Sequence, residues 1–328
     1  MRHRIVNTNG IRVHCVEEGD GPLVLLVHGF PESWYSWRHQ LPALAAAGYR
    51  AVAIDVRGYG RSSCPPAVED FRMVKMVGDV VGLLPALGAS RACLVGHDWG
   101  APIVWNSALL RPDLFWGVAG LSVPYTPRGE GPPLQTMRQR FGQTEEFYVD
   151  YFQRPGRAED EIEEDVRRWL LGFYWCASGD VPRPAPNIAL IARGAKMRER
   201  FQYPDSPPAW LTDDDLDFYA GEFERTGFTG GLNRYRNVDR DWEDLAAFAG
   251  APITVPALFV GGDRDGPTVW GMPSIERFAQ TLPRLWRSEI LPGCGHWIQQ
   301  ERPEETNRLL VDFLRAQDQV SGVRAVTS

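Results

Sequence analysis

Asp98 sits in the stretch of this chain whose residue types most clearly suggest chemistry, Val95-Gly96-His97-Asp98-Trp99-Gly100-Ala101. The apolar run Ala92-Cys93-Leu94-Val95 enters it and a helix-forming run from Ala101 to Leu110 leaves it, which reads as strand, tight turn, helix. Gly96 and Gly100 flank the turn. Small residues there let strand and helix pack closely while the middle residue is held exposed in a strained conformation. Where such an elbow usually presents a serine, this one presents a carboxylate. A carboxylate attacking an ester carbonyl yields only an anhydride, whereas attack on an sp3 carbon yields an ordinary ester on the enzyme. The electrophiles that suit Asp98 are therefore an epoxide or a carbon–halogen bond. Taken alone, the stretch reads equally as a surface loop whose aspartate caps the next helix.

Two later loops supply partners. Gly262-Asp263-Arg264-Asp265 follows the apolar run from Pro256, and Pro292-Gly293-Cys294-Gly295-His296 follows a strand-like run from Trp286 to Leu291. Nucleophile, acid and histidine thus occur in the chain order of the α/β-hydrolase fold, each just after a strand. A lone histidine is more often a surface or satisfied core residue. In this order His296 reads as a general base that activates water, with an acid orienting its ring and stabilising the imidazolium. Asp263 and Asp265 both offer that acid; the Gly-x-x-Asp spacing selects Asp265 and leaves Asp263 solvated or paired with Arg264.

The elements that must position these residues follow an alternating pattern. Arg4–Val6 and Ile11–Val16 read as a hairpin about Asn7-Thr8-Asn9-Gly10. Leu23–Val27 and Arg50–Ile54 are apolar throughout, as strands covered on both faces are, and helices are expected over 34–47 and 71–87. After a strand over 116–123 the alternation stops. Residues 124–244 carry helical periods and no clear strand: Ile162, Val166, Trp169, Leu170 and Phe173 share one face after the acidic run 159–165, and Thr212 caps a helix that buries Leu216, Tyr219 and Phe223. The alternation resumes with a strand to Gly262, a helix over 274–282, a strand over 286–291 and a last helix from Pro303 to about 316. The expectation is an α/β-hydrolase fold, a mostly parallel central sheet with helices on both faces and an inserted helical lid. Its core comprises 1–123 and 245–316, its lid 124–244, and 317–328 is a frayed tail.

Composition narrows the function classes. With 44% hydrophobic and 23% charged among 328 residues, the chain is of the soluble globular kind and buries a large core. A net charge of −7 and no basic tract exclude nucleic acid as a partner. Five scattered cysteines without C-x-x-C spacing suggest neither a disulfide framework nor zinc, and His28 and His97 lack metal-ligand spacing, so no metal or cofactor is expected. The absence of a signal-peptide core or membrane-length apolar run makes the cytoplasm the default location, and nothing opposes a homo-oligomer.

Four motifs in the right order, His28-Gly29-Phe30-Pro31, Arg57-Gly58-Tyr59-Gly60-Arg61-Ser62, Gly96-His97-Asp98-Trp99-Gly100 and Gly295-His296-Trp297, resemble the α/β-hydrolase-fold epoxide hydrolases, in particular the soluble mycobacterial type. The lid adds Tyr148-Val149-Asp150-Tyr151-Phe152-Gln153-Arg154-Pro155-Gly156, similar to that family's first lid-tyrosine motif, and Asn233-Arg234-Tyr235-Arg236-Asn237, similar to its second. The resemblance implies that Tyr148 and Tyr235 polarise and protonate an epoxide oxygen, with Tyr151 packing, while the backbone N–H groups of Phe30 and Trp99 form the oxyanion hole. The implied reaction is hydrolysis of an epoxide by water to a vicinal diol, through an ester on Asp98. A haloalkane or haloacid dehalogenase would use the same Asp98, His296 and Asp265, with the Trp99 indole serving a departing halide. A non-catalytic ligand-binding protein of this fold would have lost one of these residues. A serine esterase lacks its nucleophile here.

Overall fold

A computed structural model describes residues 1–141 and 144–321. The chain opens with β1 (Arg2–Thr8) and β2 (Ile11–Glu18), antiparallel about a turn in which Asn9 and Gly10 both have positive φ. Next come β3 (Leu23–Val27), α1 (Gln40–Ala46), β4 (Arg50–Ile54), α2 (Met73–Ala86), β5 (Ala92–His97), α3 (Gly100–Leu110) and β6 (Phe115–Leu121). The chain then leaves the sheet to build the lid. That insertion contains α4 (Pro133–Phe141), β7 (Glu145–Phe147), α5 (Tyr148–Tyr151), α6 (Arg157–Ile162), α7 (Val166–Ala177), β8 (Leu190–Ala192), α8 (Asp213–Thr226), α9 (Thr229–Tyr235) and α10 (Val238–Asp244). The core resumes with β9 (Ala257–Gly262), the short helices α11 (Gly266–Trp270), α12 (Met272–Ile275) and α13 (Phe278–Thr281), then β10 (Leu285–Leu291), α14 (Ile298–Glu301) and α15 (Pro303–Ser321).

The main sheet has eight strands in the order β1-β2-β4-β3-β5-β6-β9-β10. It is parallel from β4 to β10, with β2 and β1 added antiparallel at one edge. Alternate residues of β3 serve opposite faces. Leu23, Leu25 and Val27 pack with α2 and α3, while Val24 and Leu26 pack with Leu41 and Leu44 of α1 and Phe313 of α15. Such two-sided burial is why these strands read as continuous apolar runs. From β3 the chain goes to β4 on one side and then crosses to β5 on the other. A crevice opens at that reversal, beyond the carboxyl ends of β3 and β5. Phe30 and Asp98 lie just after those two strands.

Local chemistry explains where the structure departs from the sequence pattern. The helix expected over 34–47 is broken into a short 3-10 turn, Trp34–Trp37, and α1, because the Pro42 ring would clash with the carbonyl four residues back in a continuous helix. Ile162 and Phe173 do not share one helix: Asp165 accepts a hydrogen bond from the Arg168 N–H and starts α7 afresh. The helix expected over 274–282 is two shorter pieces, α12 and α13. The lid does contain strands, β7 and β8, of three residues each, too short to show a period. The last helix continues to Ser321, with the Tyr49 hydroxyl bound to Asp318; residues 322–328 of the expected tail lie outside the described residues. Thr212 caps α8, accepting from the Asp215 N–H, an interaction that contributes about 1 kcal/mol.

One of the places where the lid is tied to the core is at α9. Gly230 lies so close to Gly58 that a Cβ on either would collide with the other's backbone. Around that contact, Asn237 Nδ2 donates to Val68 O at 2.6 Å, Asp241 Oδ1 accepts from Met73 N at 2.6 Å, and Arg72 pairs with both oxygens of Asp244. Among the described residues no helix is long and apolar enough to cross a membrane.

Candidate active site

Asp98 occupies the turn between β5 and α3 with φ of 49°, a left-handed conformation costly for a residue with a Cβ. Neighbouring atoms enforce it. A Cβ on Gly96 would collide with the Gly100 carbonyl, and one on Gly100 with the Val27 carbonyl. Only glycines allow this approach of strand, helix and β3. Asp98 Oδ1 accepts a hydrogen bond from the Phe30 N–H at 2.8 Å. The turn that aims this amide is held by His28, whose Nε2 accepts from Val56 N at 3.0 Å, so that Nδ1 carries the proton and donates to Gly29 O at 2.8 Å. Gly29 must itself lack a side chain, since a Cβ there would overlap the Asp98 carboxylate.

His296 and Asp265 arrive from the loops after β10 and β9. His296 Nδ1 lies 2.9 Å from Asp265 Oδ1, and its Nε2 lies 3.4 Å from Asp98 Oδ2. Asp265 is completely buried; its Oδ2 accepts from Ser122 Oγ and Thr268 Oγ1, each at 2.7 Å. With so many donors around it, the carboxylate is the acceptor, and Nδ1 of His296 carries the proton. Burial alone would lower the His296 pKa, but the charge and hydrogen bond of Asp265, then those of Asp98, outweigh it and raise the pKa well above the ordinary value. Asp263 is exposed and accepts from Gly293 N at 2.7 Å, while Arg264 donates to Gly179 O at 2.6 Å.

The two lid tyrosines face the same space. The N–H of Tyr148 donates to Ala189 O at 2.9 Å, so the small lid sheet carries directly into α5. Tyr235 ends α9, and its ring centroid lies 5.9 Å from that of Tyr148. Together with Asp98, Phe30, Asp265 and His296 they line a cavity of about 210 Å³. Burial first, then the Asp98 charge, raises the pKa of both phenols, so each remains a neutral donor at neutral pH. Tyr151 instead turns away to donate to buried Glu161. Trp99 stands at the N-terminus of α3, its indole edge-on to Tyr235 at 5.1 Å between centroids. At the mouth of the cavity lie Arg183, Asn187, Arg264 and Trp270.

The alpha/beta hydrolase fold profile matches residues 22–303. Epoxide hydrolase B of Mycobacterium tuberculosis is 48% identical, over 95% of this chain and 98% of that protein. The chain belongs to the α/β-hydrolase-fold epoxide hydrolases. Epoxide hydrolase A of the same organism is 47% identical, over 95% of this chain and 96% of its own. Among solved structures, an epoxide hydrolase from an endophytic Streptomyces is 60% identical, with a TM-score of 0.94 over 96% of this chain and 95% of that one. These relatives select epoxide hydrolase over the dehalogenase and the non-catalytic protein.

Two features of this epoxide hydrolase escape sequence reasoning. Ser122, with φ of 71° at the end of β6, donates to Asp265 and lies 3.0 Å from His296 Nδ1; nothing local marks a serine after a strand as a support for a distant loop. The second is a buried pair. His97 Nδ1 lies 2.7 Å from Glu32 Oε2 and its Nε2 lies 2.7 Å from the His296 carbonyl. Both ring nitrogens face oxygen atoms. Burial would raise the Glu32 pKa, but the charge and hydrogen bond of His97 outweigh it and hold the carboxyl at about 2. Glu32 also accepts from Gly29 N at 3.0 Å, so one carboxylate links the turn before Phe30 to the loop of His296.

Proposed function

We propose that the enzyme converts a small or medium epoxide and water to a vicinal diol in two half-reactions at Asp98, with residues 124–244 as the lid and 1–123 and 245–316 as the core. The observation that carries the proposal is the opposition, across one cavity, of a carboxylate bound to His296 and two neutral phenols. Phe30 N–H occupies Oδ1, which leaves Oδ2 to attack a ring carbon from the side opposite the departing oxygen. As the carbon–oxygen bond breaks, Tyr148 and Tyr235 donate hydrogen bonds to the emerging alkoxide, and one gives it a proton.

The product of that step is an alkyl ester whose carbonyl oxygen is Oδ1. Its formation removes the Asp98 charge, one of the influences that raise the His296 pKa, so the imidazolium gives its Nε2 proton to the phenolate left by epoxide opening and can then take a proton from water. Hydroxide adds to the ester carbon, and the amides of Phe30 and Trp99 stabilise the oxyanion. His296 returns the proton to the departing alcohol oxygen. The proton left on the Asp98 carboxyl passes to His296, which restores the starting state.

A single turnover in 18O water tests the covalent path. The label is expected in the Asp98 carboxylate, read by mass spectrometry of the peptide that contains it. Label found only in the diol would reject the ester intermediate.

A further inference from the structure

Two phenols can donate to one oxygen only if they are held at a fixed separation. Hydroxyl donors each about 2.7 Å from a shared acceptor, at a tetrahedral angle, stand about 4.5 Å apart. Neither α5, with four residues, nor α9, with seven, is long enough to fix its tyrosine by itself. The chain supplies a cross-connection beside them.

Arg236, next to Tyr235, is 6% exposed and uses all sides of its guanidinium. Nε donates to Phe152 O at 3.1 Å, just past the end of α5; Nη1 donates to Asn233 Oδ1 at 2.9 Å; and Nη2 meets both oxygens of buried Glu159 at 2.8 and 3.0 Å. Glu159 in turn accepts from Gly156 N at 3.0 Å and so fixes the chain after α5. A second brace is parallel to the first. Gln153 Nε2 donates both to Val149 O in α5, at 2.8 Å, and to Tyr235 O, at 2.9 Å. Between the braces, Phe152 packs against both catalytic rings, 5.8 Å from Tyr148 and 4.9 Å from Tyr235.

We infer that Arg236, with its partner Glu159, and Gln153 are positioning residues that set the separation of Tyr148 and Tyr235 and thereby the rate of epoxide opening. The inference rests on the role given to the two phenols. The planar guanidinium suits the task because it meets a carboxylate and two carbonyl oxygens in fixed directions at once; a lysine keeps the charge but not the geometry. The braces bear on the first half-reaction alone, because the phenols take no part in breaking the ester.

The test is a rapid-quench experiment with styrene oxide, in which intact-protein mass spectrometry follows formation and decay of the Asp98 adduct in Arg236→Lys and Gln153→Met. Gln153→Met removes both donated bonds without uncovering a charge, and it serves should Arg236→Lys fail to fold. Adduct formation is expected to slow roughly 10- to 100-fold while adduct decay stays within about twofold of wild type. A purely structural role would lower the melting temperature and the active fraction but leave both rate constants of the folded molecules unchanged. That result, or an equal fall in both rates, overturns the inference. Tyr148→Phe and Tyr235→Phe run alongside as controls. Wild-type adduct formation in the tyrosine variants removes the phenols' role and the braces with it; slow formation there, beside wild-type rates in the two brace variants, removes the braces alone.

Discussion

Replacing Asp265 by asparagine is expected to separate the two half-reactions. The His296 ring loses the negative charge whose oxygen lies 2.9 Å from Nδ1. With charge centres about 4 Å apart and an effective dielectric constant of about 20, that attraction is about 4 kcal/mol. Attack by Asp98 on the epoxide does not build charge on His296 and should be slowed little. Deprotonation of water does build it, and a loss of about 4 kcal/mol there corresponds to roughly a 10³-fold slower ester hydrolysis. Ser122 and Thr268 can turn their hydroxyls to accept from the new amide, so the loop has hydrogen-bonding partners for the substitution. Asp265→Asn mixed with excess styrene oxide should give one burst of diol precursor and then stall, with nearly all the protein carrying one substrate mass. Equal slowing of adduct formation and decay, or an enzyme that never accumulates adduct under excess substrate, would refute this division of labour.

Two further outcomes follow from the supports of the site. Gly29→Ala places a methyl group where the Asp98 carboxylate lies, and activity should fall by roughly 10²-fold as the nucleophile is displaced; an alanine variant as active as wild type would show that the turn gives way instead. The Glu32 carboxyl, held at about 2, is lowered from its unfolded value, so its contribution to stability is fully present above about pH 4.5 and is lost as pH falls from there through about 2. That contribution is on the order of 3 kcal/mol. Urea unfolding of wild type and Glu32→Gln across this range should show the wild type losing more stability on the acid side; parallel profiles would contradict the pairing with His97.

The sheet and the elbow were legible because their signals are local. Buried parallel strands such as Leu23–Val27 are apolar at every position, and the elbow needs glycines at fixed offsets because backbones touch there. That Asp98, Asp265 and His296 meet in space was legible through chain order. The supports were not. Ser122, Glu32 and Arg236 bond to partners 143, 65 and 77 residues away, and a polar residue bound to a distant partner has the same composition as one facing water. The lid was legible as helical from the spacing of its apolar residues, but its two three-residue strands fall below the length at which a period exists.

Because Gly230 rests against Gly58 with no side chain between them, α9 cannot lift from the core without breaking the hydrogen bonds and ion pair that surround the contact. The wall that bears Tyr235 is therefore held against the core, and the solvent-exposed residues of the cavity lining lie away from it. Arg183, Asn187, Arg264 and Trp270 are the exposed residues of that lining, and entry between them takes epoxide, water and diol past the same side chains. On such a path the water for the second step either enters beside the bound substrate or is already inside when the epoxide arrives.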